Sequence, residues 1–499
     1  MNRNLSFDYL VIGGGAAGCI VARRLADQLP HASIALFEAG KSDENDSATT
    51  LLSHLDKQDD SYDWGYKAKP KGCASHELSY SRARVLGGCA NHNDCAFIAP
   101  HPLDLDRWEG LGAKGWNSRS LSKALSRVEN QLHIEETPKG NELSRGFIDA
   151  SIELGLPEHN FRQGVEVGTG WFPLNSQGDF RQSSSIAYLH PLSELPRNLT
   201  VFTEATVHGL LFNNRKVTGV QTDRGIFYCD IETVLCAGSI NTPQLLMLSG
   251  IGPSSDLNEL GIPVVQNLPG VGQNLIDHVA ANICCELRSP SPPWALTPCE
   301  ATSLIKIDPD ASSPDVLFHF VMRLREKYAG QTTFSGIQHG VKLSPNVARP
   351  KSRGSIKLID PNPNTAPAID LNYLSDPEGY DQRILIGGLR FARDLTQTRA
   401  LSPYIKMEIT PGLDMQSDDE LIQYIHQTCE TVYHPCGTCA MGSVEDSKSV
   451  VTPDLRVKGV ENLRIADASV FPDMVTVNIC NTVMMVAEHA VELIVNGER

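Results

Sequence analysis

In Gly87-Gly88-Cys89-Ala90-Asn91-His92-Asn93-Asp94, one histidine stands between two asparagines, just after a glycine pair and small residues. Glycines there let the backbone run close to a flat or charged group. The histidine is then open to four uses: a ligand, an acid or base, a covalent anchor, or a polar residue with its hydrogen bonds satisfied. A second histidine, His434, precedes Pro435 and the pair Cys436 and Cys439, spaced as C-x-x-C. Histidine has the intrinsic pKa for moving a proton near neutral pH. A zinc site at that pair would want a fourth ligand and usually a second pair, and no thioredoxin-like context surrounds it. No metal is expected.

These groups need elements to hold them. FDYLVIGGGAAGCIVARRLADQ (7–28) is an apolar run, a glycine turn and a helical pattern, in which Gly13, Gly15 and Gly18 fit G-x-G-x-x-G. The first glycine allows the tight turn, the second lets backbone approach a pyrophosphate, and the third packs helix on strand. The pyrophosphate rests on the N–H groups at the helix start. HASIALFEAG (31–40) predicts a second strand ending in Glu38, spaced for a carboxylate that bonds ribose hydroxyls. This is a Rossmann-type unit for an ADP-containing cofactor, NAD or FAD.

Further on, 198–239 alternates apolar residues between Asn and Gly turns and ends in the strand ETVLCAGS. Ala237 and Gly238 there permit a second close approach to the same cofactor. The C-terminal stretch 460–494 reads as strand, loop and a helix from about Asn481. Chain ends that both read as α/β imply a nucleotide domain assembled from distant segments. Between them, 286–315 is rich in Ser, Pro and Asp and reads as connecting loops. PDVLFHFVMRL and GSIKLIDP read as strands, and YDQRILIGGLRFARDLTQTRAL as an amphipathic helix.

The chain of 499 residues exceeds one simple core. Its formal charge of −16 excludes nucleic acid, which needs a basic face, and gives no attraction to an anionic membrane. No apolar run is long enough to span a bilayer. The first strand pattern begins at Phe7, leaving no room for a leader. Thirteen cysteines without framework spacing suit reduced thiols, so a cytoplasmic location is expected.

Together these stretches resemble the glucose–methanol–choline (GMC) family of flavin oxidoreductases. ARVLGGCANHN (83–93) is similar to its flavin-contacting loop and GSINTPQLLMLSGIG (238–252) to its second signature. LPGVGQNLIDH (268–278), YHPCGTCAMG (433–442) and DASVFPDMVTVN…MMVAEHAVELI (467–494) follow in the family's order. The resemblance implies FAD, bound by an α/β Rossmann-type domain built from discontinuous segments (1–150, 190–299 and 432–499). An α+β substrate domain with an antiparallel sheet (151–189 and 300–431) would cover its reactive end. It implies cofactor contacts at Gly13, Gly15, Gly18, Glu38, Gly88, His92, Asn93, Asp94, Val207, Ala237 and Asp467.

Within the family the resemblance is nearest to the choline-oxidising members. It implies that His92 carries the flavin covalently, that His434 and Asn478 are catalytic, and that Glu300 and Tyr433 meet the substrate, with Phe318 a further aromatic candidate. The reaction implied is oxidation of a primary alcohol to an aldehyde by hydride transfer to flavin N5, with choline or a related cationic alcohol favoured. An aryl, furanic or amino-sugar alcohol, or a hydroxynitrile-lyase-like reaction, is the alternative. Oxygen or a quinone or other electron carrier would take the electrons, and a homodimer suits the resemblance. The chain departs from the pattern at Asp94, where a serine is expected, and at Asn478-Ile479-Cys480-Asn481, where Asn-Pro-Asn is expected. Pro298 and Cys299 stand where tryptophans are expected before Glu300. A carboxylate at Asp94 is expected to lower the flavin's redox potential.

Overall fold

The computed structural model describes residues 5–69, 77–137, 140–324, 337 and 339–497. The apolar run Leu5–Ile12 forms a strand with parallel neighbours on both sides, Ile34–Phe37 and Gly225–Leu235. All four residues of Ile34–Phe37 are buried, as expected of a parallel strand covered on both faces. Leu199–Phe202 extends the sheet beyond it, and Leu463–Ile465, from near the C-terminus, pairs with Gly225–Leu235. The far edge is an antiparallel meander of Val207–Asn213, Lys216–Thr222 and Gly225–Leu235. Helix Gly18–Gln28 packs on helix Cys480–Gly497, so the two chain ends build one layer. The buried Glu488 carboxylate joins them: it meets Arg24 at 2.9 Å and Arg127 at 3.0 Å and accepts from the Tyr188 hydroxyl.

A second sheet is antiparallel throughout, in the order Ile405–Thr410, Ile283–Leu287, Gly340–Val347, Val316–Val321, Ala301–Ile305 and Gly168–Trp171. The short strands Val279–Ala280 and Glu430–Thr431 pair beside it. The amphipathic stretch forms helix Tyr380–Gln397 on its outer face. Strand alternation then sorts side chains. Phe318 and Phe320 turn to that outer side, against Phe391 and Phe147. His319 and Val321 turn the other way, into a cavity between the sheets.

Two expectations are corrected here. Strands Val279–Ala280 and Ile283–Leu287, grouped from sequence with the cofactor domain, pair in the second sheet. Ala301–Ile305 is a fully buried strand inside the stretch expected to be loops. Its Pro-, Ser- and Asp-rich flanks mask a five-residue run that only its two neighbours define as a strand.

Candidate active site

A cavity of about 920 Å³ runs between the sheets, from Gly13, Gly15 and Glu38 at one end to His434 and Asn478 at the other. At the first end, the Glu38 carboxylate accepts from the N–H groups of Gly14 (2.9 Å) and Gly40 (2.7 Å). Burial still pushes its pKa up to about 7, against the pull of those donors and of Arg84. Hydroxyl donors from a ribose are what this carboxylate lacks. Gly88, at φ +54°, faces Gly15 so closely that a β-carbon would stand 2.7 Å from the Gly15 Cα. Bare backbone therefore bounds the cleft where a pyrophosphate would lie.

Gly18 does not line the cavity; it lets the helix start against the turn, where a β-carbon would lie 1.8 Å from the Gly13 carbonyl oxygen. Gly18→Ala is expected to purify with at most a small fraction of the wild-type flavin, read from visible absorbance. Full flavin content in that variant would show that the turn yields. Val207 and Ala237 line the same end, with Asp467, which accepts from the Gly238 N–H (2.8 Å) and the Thr242 hydroxyl (2.6 Å). The residues fit a flavin dinucleotide.

His92, Asn93 and Asp94 also line the cavity. Their loop is fastened by a residue that sequence reading passed over: Asn91 donates to Asp43 (2.8 Å), to the Leu86 carbonyl (2.7 Å) and to Ser185 (3.2 Å). The buried Asp43 also holds Ser185 and His190. The buried Arg181 anchors Asn93 through its carbonyl.

At the far end, hydrogen bonding decides which ring nitrogens carry protons. His278 Nε2 lies 2.9 Å from the Ala348 carbonyl and 3.1 Å from the Val475 carbonyl. Both are acceptors, so Nε2 is the donor. Burial lowers the His278 pKa to about 4, which keeps the ring neutral, and its Nδ1 is then a bare lone pair. His434 Nδ1, 2.8 Å away, must donate to it. That leaves His434 Nε2 as the lone pair, 3.3 Å from Asn478 Nδ2 in the cavity wall. Burial, with His278, His319 and Arg82 nearby, holds the His434 pKa well below the ordinary histidine value.

His319 is fixed the same way. Asn346 Nδ2 donates to the Leu317 carbonyl and, at 3.0 Å, to His319 Nδ1. The proton of this neutral ring is therefore on Nε2, 3.5 Å from Asn478 Nδ2. A base lone pair, an amide NH₂ and an imidazole N–H thus lie side by side, the amide between the two rings, while Asn478 Oδ1 is buried without a partner. Such a trio can take a proton from a hydroxyl and hold the resulting oxyanion.

The turn carrying His434 is pinned by Asp277, which accepts from the His434 backbone N–H (2.8 Å) and from the hydroxyls of Thr431, Tyr373 and Tyr80 (2.6, 2.6 and 2.9 Å). Tyr433, at φ +64° and 46% exposed, lines the mouth.

Two substrate expectations do not hold. Glu300 is fully buried but faces away from the cavity, which its neighbour Cys299 lines. Its carboxylate accepts from the Ala295 and Asn141 N–H groups and the Ser144 hydroxyl, so it fastens loops. Phe318 packs on Phe391 for the same reason of strand alternation. In their place the cavity holds a pair that sequence reading missed: Lys342 Nζ lies 2.5 Å from the Glu430 carboxylate, both side chains about nine-tenths buried.

Family models described as GMC oxidoreductase match residues 7–280 and 350–487. The chain belongs to the GMC oxidoreductase family. It is an FAD-dependent alcohol oxidoreductase, 37% identical to choline oxidase of Arthrobacter globiformis over 98% of this chain and 94% of that protein. It is also 32% identical to the alcohol dehydrogenase [acceptor] of Pseudomonas putida, over 98% and 96%. Pyridoxine 4-oxidase from Mesorbium loti superposes with a TM-score of 0.88 at 27% identity, over 97% of this chain and 98% of that one. Among the described residues every cysteine is a free thiol, and no helix is long and apolar enough to cross a membrane.

Proposed function

We propose that the chain oxidises choline or a related cationic primary alcohol to its aldehyde, with His434 as base and Asn478 and His319 holding the alcohol oxygen. The observation that carries the chemistry is the unprotonated Nε2 of His434, which accepts from the Asn478 amide in the cavity wall with His319 beyond it. Removing the hydroxyl proton there leaves an alkoxide whose charge the Asn478 and His319 N–H groups meet, and which they orient. Bound FAD supplies the acceptor for the α-hydride. The cationic preference draws on the likeness to choline oxidase and on two carboxylates in the cavity wall, Asp94 and Glu430. A neutral polar alcohol is the second reading, favoured by the turned-away Glu300.

Mixing the holoprotein with choline without oxygen is expected to bleach the flavin band, and admitting air to restore it with oxygen as acceptor. Bleaching by neutral alcohols but not by choline would overturn the cationic preference and leave the chemistry standing. His92 is proposed as the covalent tether, supported by its place on the cavity wall in a loop clamped by Asp43. Wild-type protein should then keep its yellow colour in an acid precipitate, whereas His92→Ala releases it to the supernatant. Colour in the wild-type supernatant counts against the tether. Asp94 lies on the same wall, and its charge is proposed to lower the potential of a flavin bound there. A cytosolic location suits the free thiols.

A further inference from the structure

Lys342 and Glu430 stand out among the charged groups of the cavity. A buried ion pair contributes little net stability, because taking two charges out of water offsets most of their attraction. This pair is not in the core of a domain but in the wall of the reaction cavity. Its two partners come from different strands, Gly340–Val347 and Glu430–Thr431. Glu430 lies four residues before His434. Lys342 is near enough to His319 to disfavour that ring's protonation, and His319 in turn borders Asn478. The pair therefore shares a cavity wall with His434, Asn478 and His319, and its lysine acts on the last of them. Directly across from Glu430 in the strand pairing, Ala280 contributes only a methyl group, with no competing acceptor.

A carboxylate in the wall of the reaction cavity is where the positive end of a cationic alcohol would go. A cation of the protein's own already touches it. We propose that Glu430 receives the substrate's positive group and that Lys342 is a built-in competitor for it, so that this lysine sets how well cationic alcohols are accepted. The inference rests on the reading of the reaction as oxidation of a cationic primary alcohol. A substrate cation binds by taking over Glu430 from the Lys342 ammonium, which swings aside on its flexible four-carbon stem. A neutral alcohol of the same shape gains nothing from the exchange. The lysine thus weakens cation binding and also keeps Glu430 from standing buried and unpaired before substrate arrives, an unfavourable state for a charge out of water.

The test compares choline with its neutral isostere, 3,3-dimethylbutan-1-ol, by the ratio of kcat/KM values in the holoenzyme. Lys342→Met keeps the length of the stem and removes the charge. It is expected to raise the choline preference about tenfold or more, mostly through a lower KM for choline. Glu430→Gln is expected to lower the preference by a similar factor, and the double variant to follow Glu430→Gln. Flavin content and melting temperature serve as folding controls, and Lys342→Gln replaces the methionine variant should that one not fold. An unchanged or lowered choline preference in both lysine variants, with choline still oxidised by the wild type, overturns the competitor while the proposed reaction stands. Choline oxidised by Lys342→Met but not by the wild type upholds the competitor and removes choline as the native substrate. Oxidation of neutral alcohols alone by every variant overturns both.

Discussion

His434→Ala is expected to lower kcat/KM by roughly 10²–10⁴-fold, the usual loss on removing a general base, while flavin content stays at the wild-type level. The imidazole is in the cavity wall with Nε2 unprotonated, and its removal leaves no other lone pair beside Asn478 among the groups whose protonation the hydrogen bonds decide. The pH profile adds a second readout. The active form is the neutral ring, and burial with nearby His278, His319 and Arg82 holds its pKa well below the ordinary histidine value near 6.5. Activity is therefore full above that depressed pKa and falls only as pH drops through it. The acid limb of kcat/KM should lie below pH 6.5, and it should vanish in the residual activity of the variant. A variant within tenfold of wild type would show that the hydroxyl proton leaves by another route.

The nucleotide end of this site could be read in the sequence because its chemistry is local. Gly13, Gly15 and Gly18 lie within six residues, and Glu38 follows at the end of the next strand, so spacing alone carries the geometry. The His434 end could be read only in part. His434 and Asn478 were found through motif likeness, but their partners come from other layers: His278 from the stretch before Val279–Ala280, His319 from the middle of an apolar strand. In FHF the alternation already puts His319 on the face opposite Phe318 and Phe320, a signal available in the sequence once that strand is known to border a cavity. The Lys342–Glu430 pair gave no such signal, since neither residue lies in a motif and only the pairing of strands brings them together. Glu300 failed for the converse reason. A one-residue difference in strand phase separates the cavity, which Cys299 lines, from the loops that the carboxylate fastens.

The tautomer of His434 depends on a residue that touches no substrate, and this yields the second large effect. His278→Leu removes the acceptor of the His434 Nδ1 proton and leaves the carbonyls of Ala348 and Val475 without their donor. The His434 ring is then free to carry its proton on Nε2, which presents an N–H where the alcohol needs a lone pair. A fall in kcat on the order of 10²-fold or more is expected, as when the partner that sets a catalytic histidine's tautomer is lost, with KM little changed. A merely structural role would instead reduce folded, flavin-loaded protein without that split. His278→Gln separates the two cases, because its amide oxygen can accept from His434 while its NH₂ donates to the carbonyls; it should restore most of kcat. The same ring also links stability to pH. Its folded pKa of about 4 lies below the unfolded value of 6.5, so the unfolded chain takes up a proton that the folded chain refuses. Its contribution is intact above pH 6.5 and declines as pH falls toward 4, by on the order of 3 kcal/mol across that window. His278→Gln, which cannot titrate, should show a shallower loss of melting temperature between pH 6.5 and 4 than the wild type, and an equal slope would mean that His278 does not stay neutral in the fold.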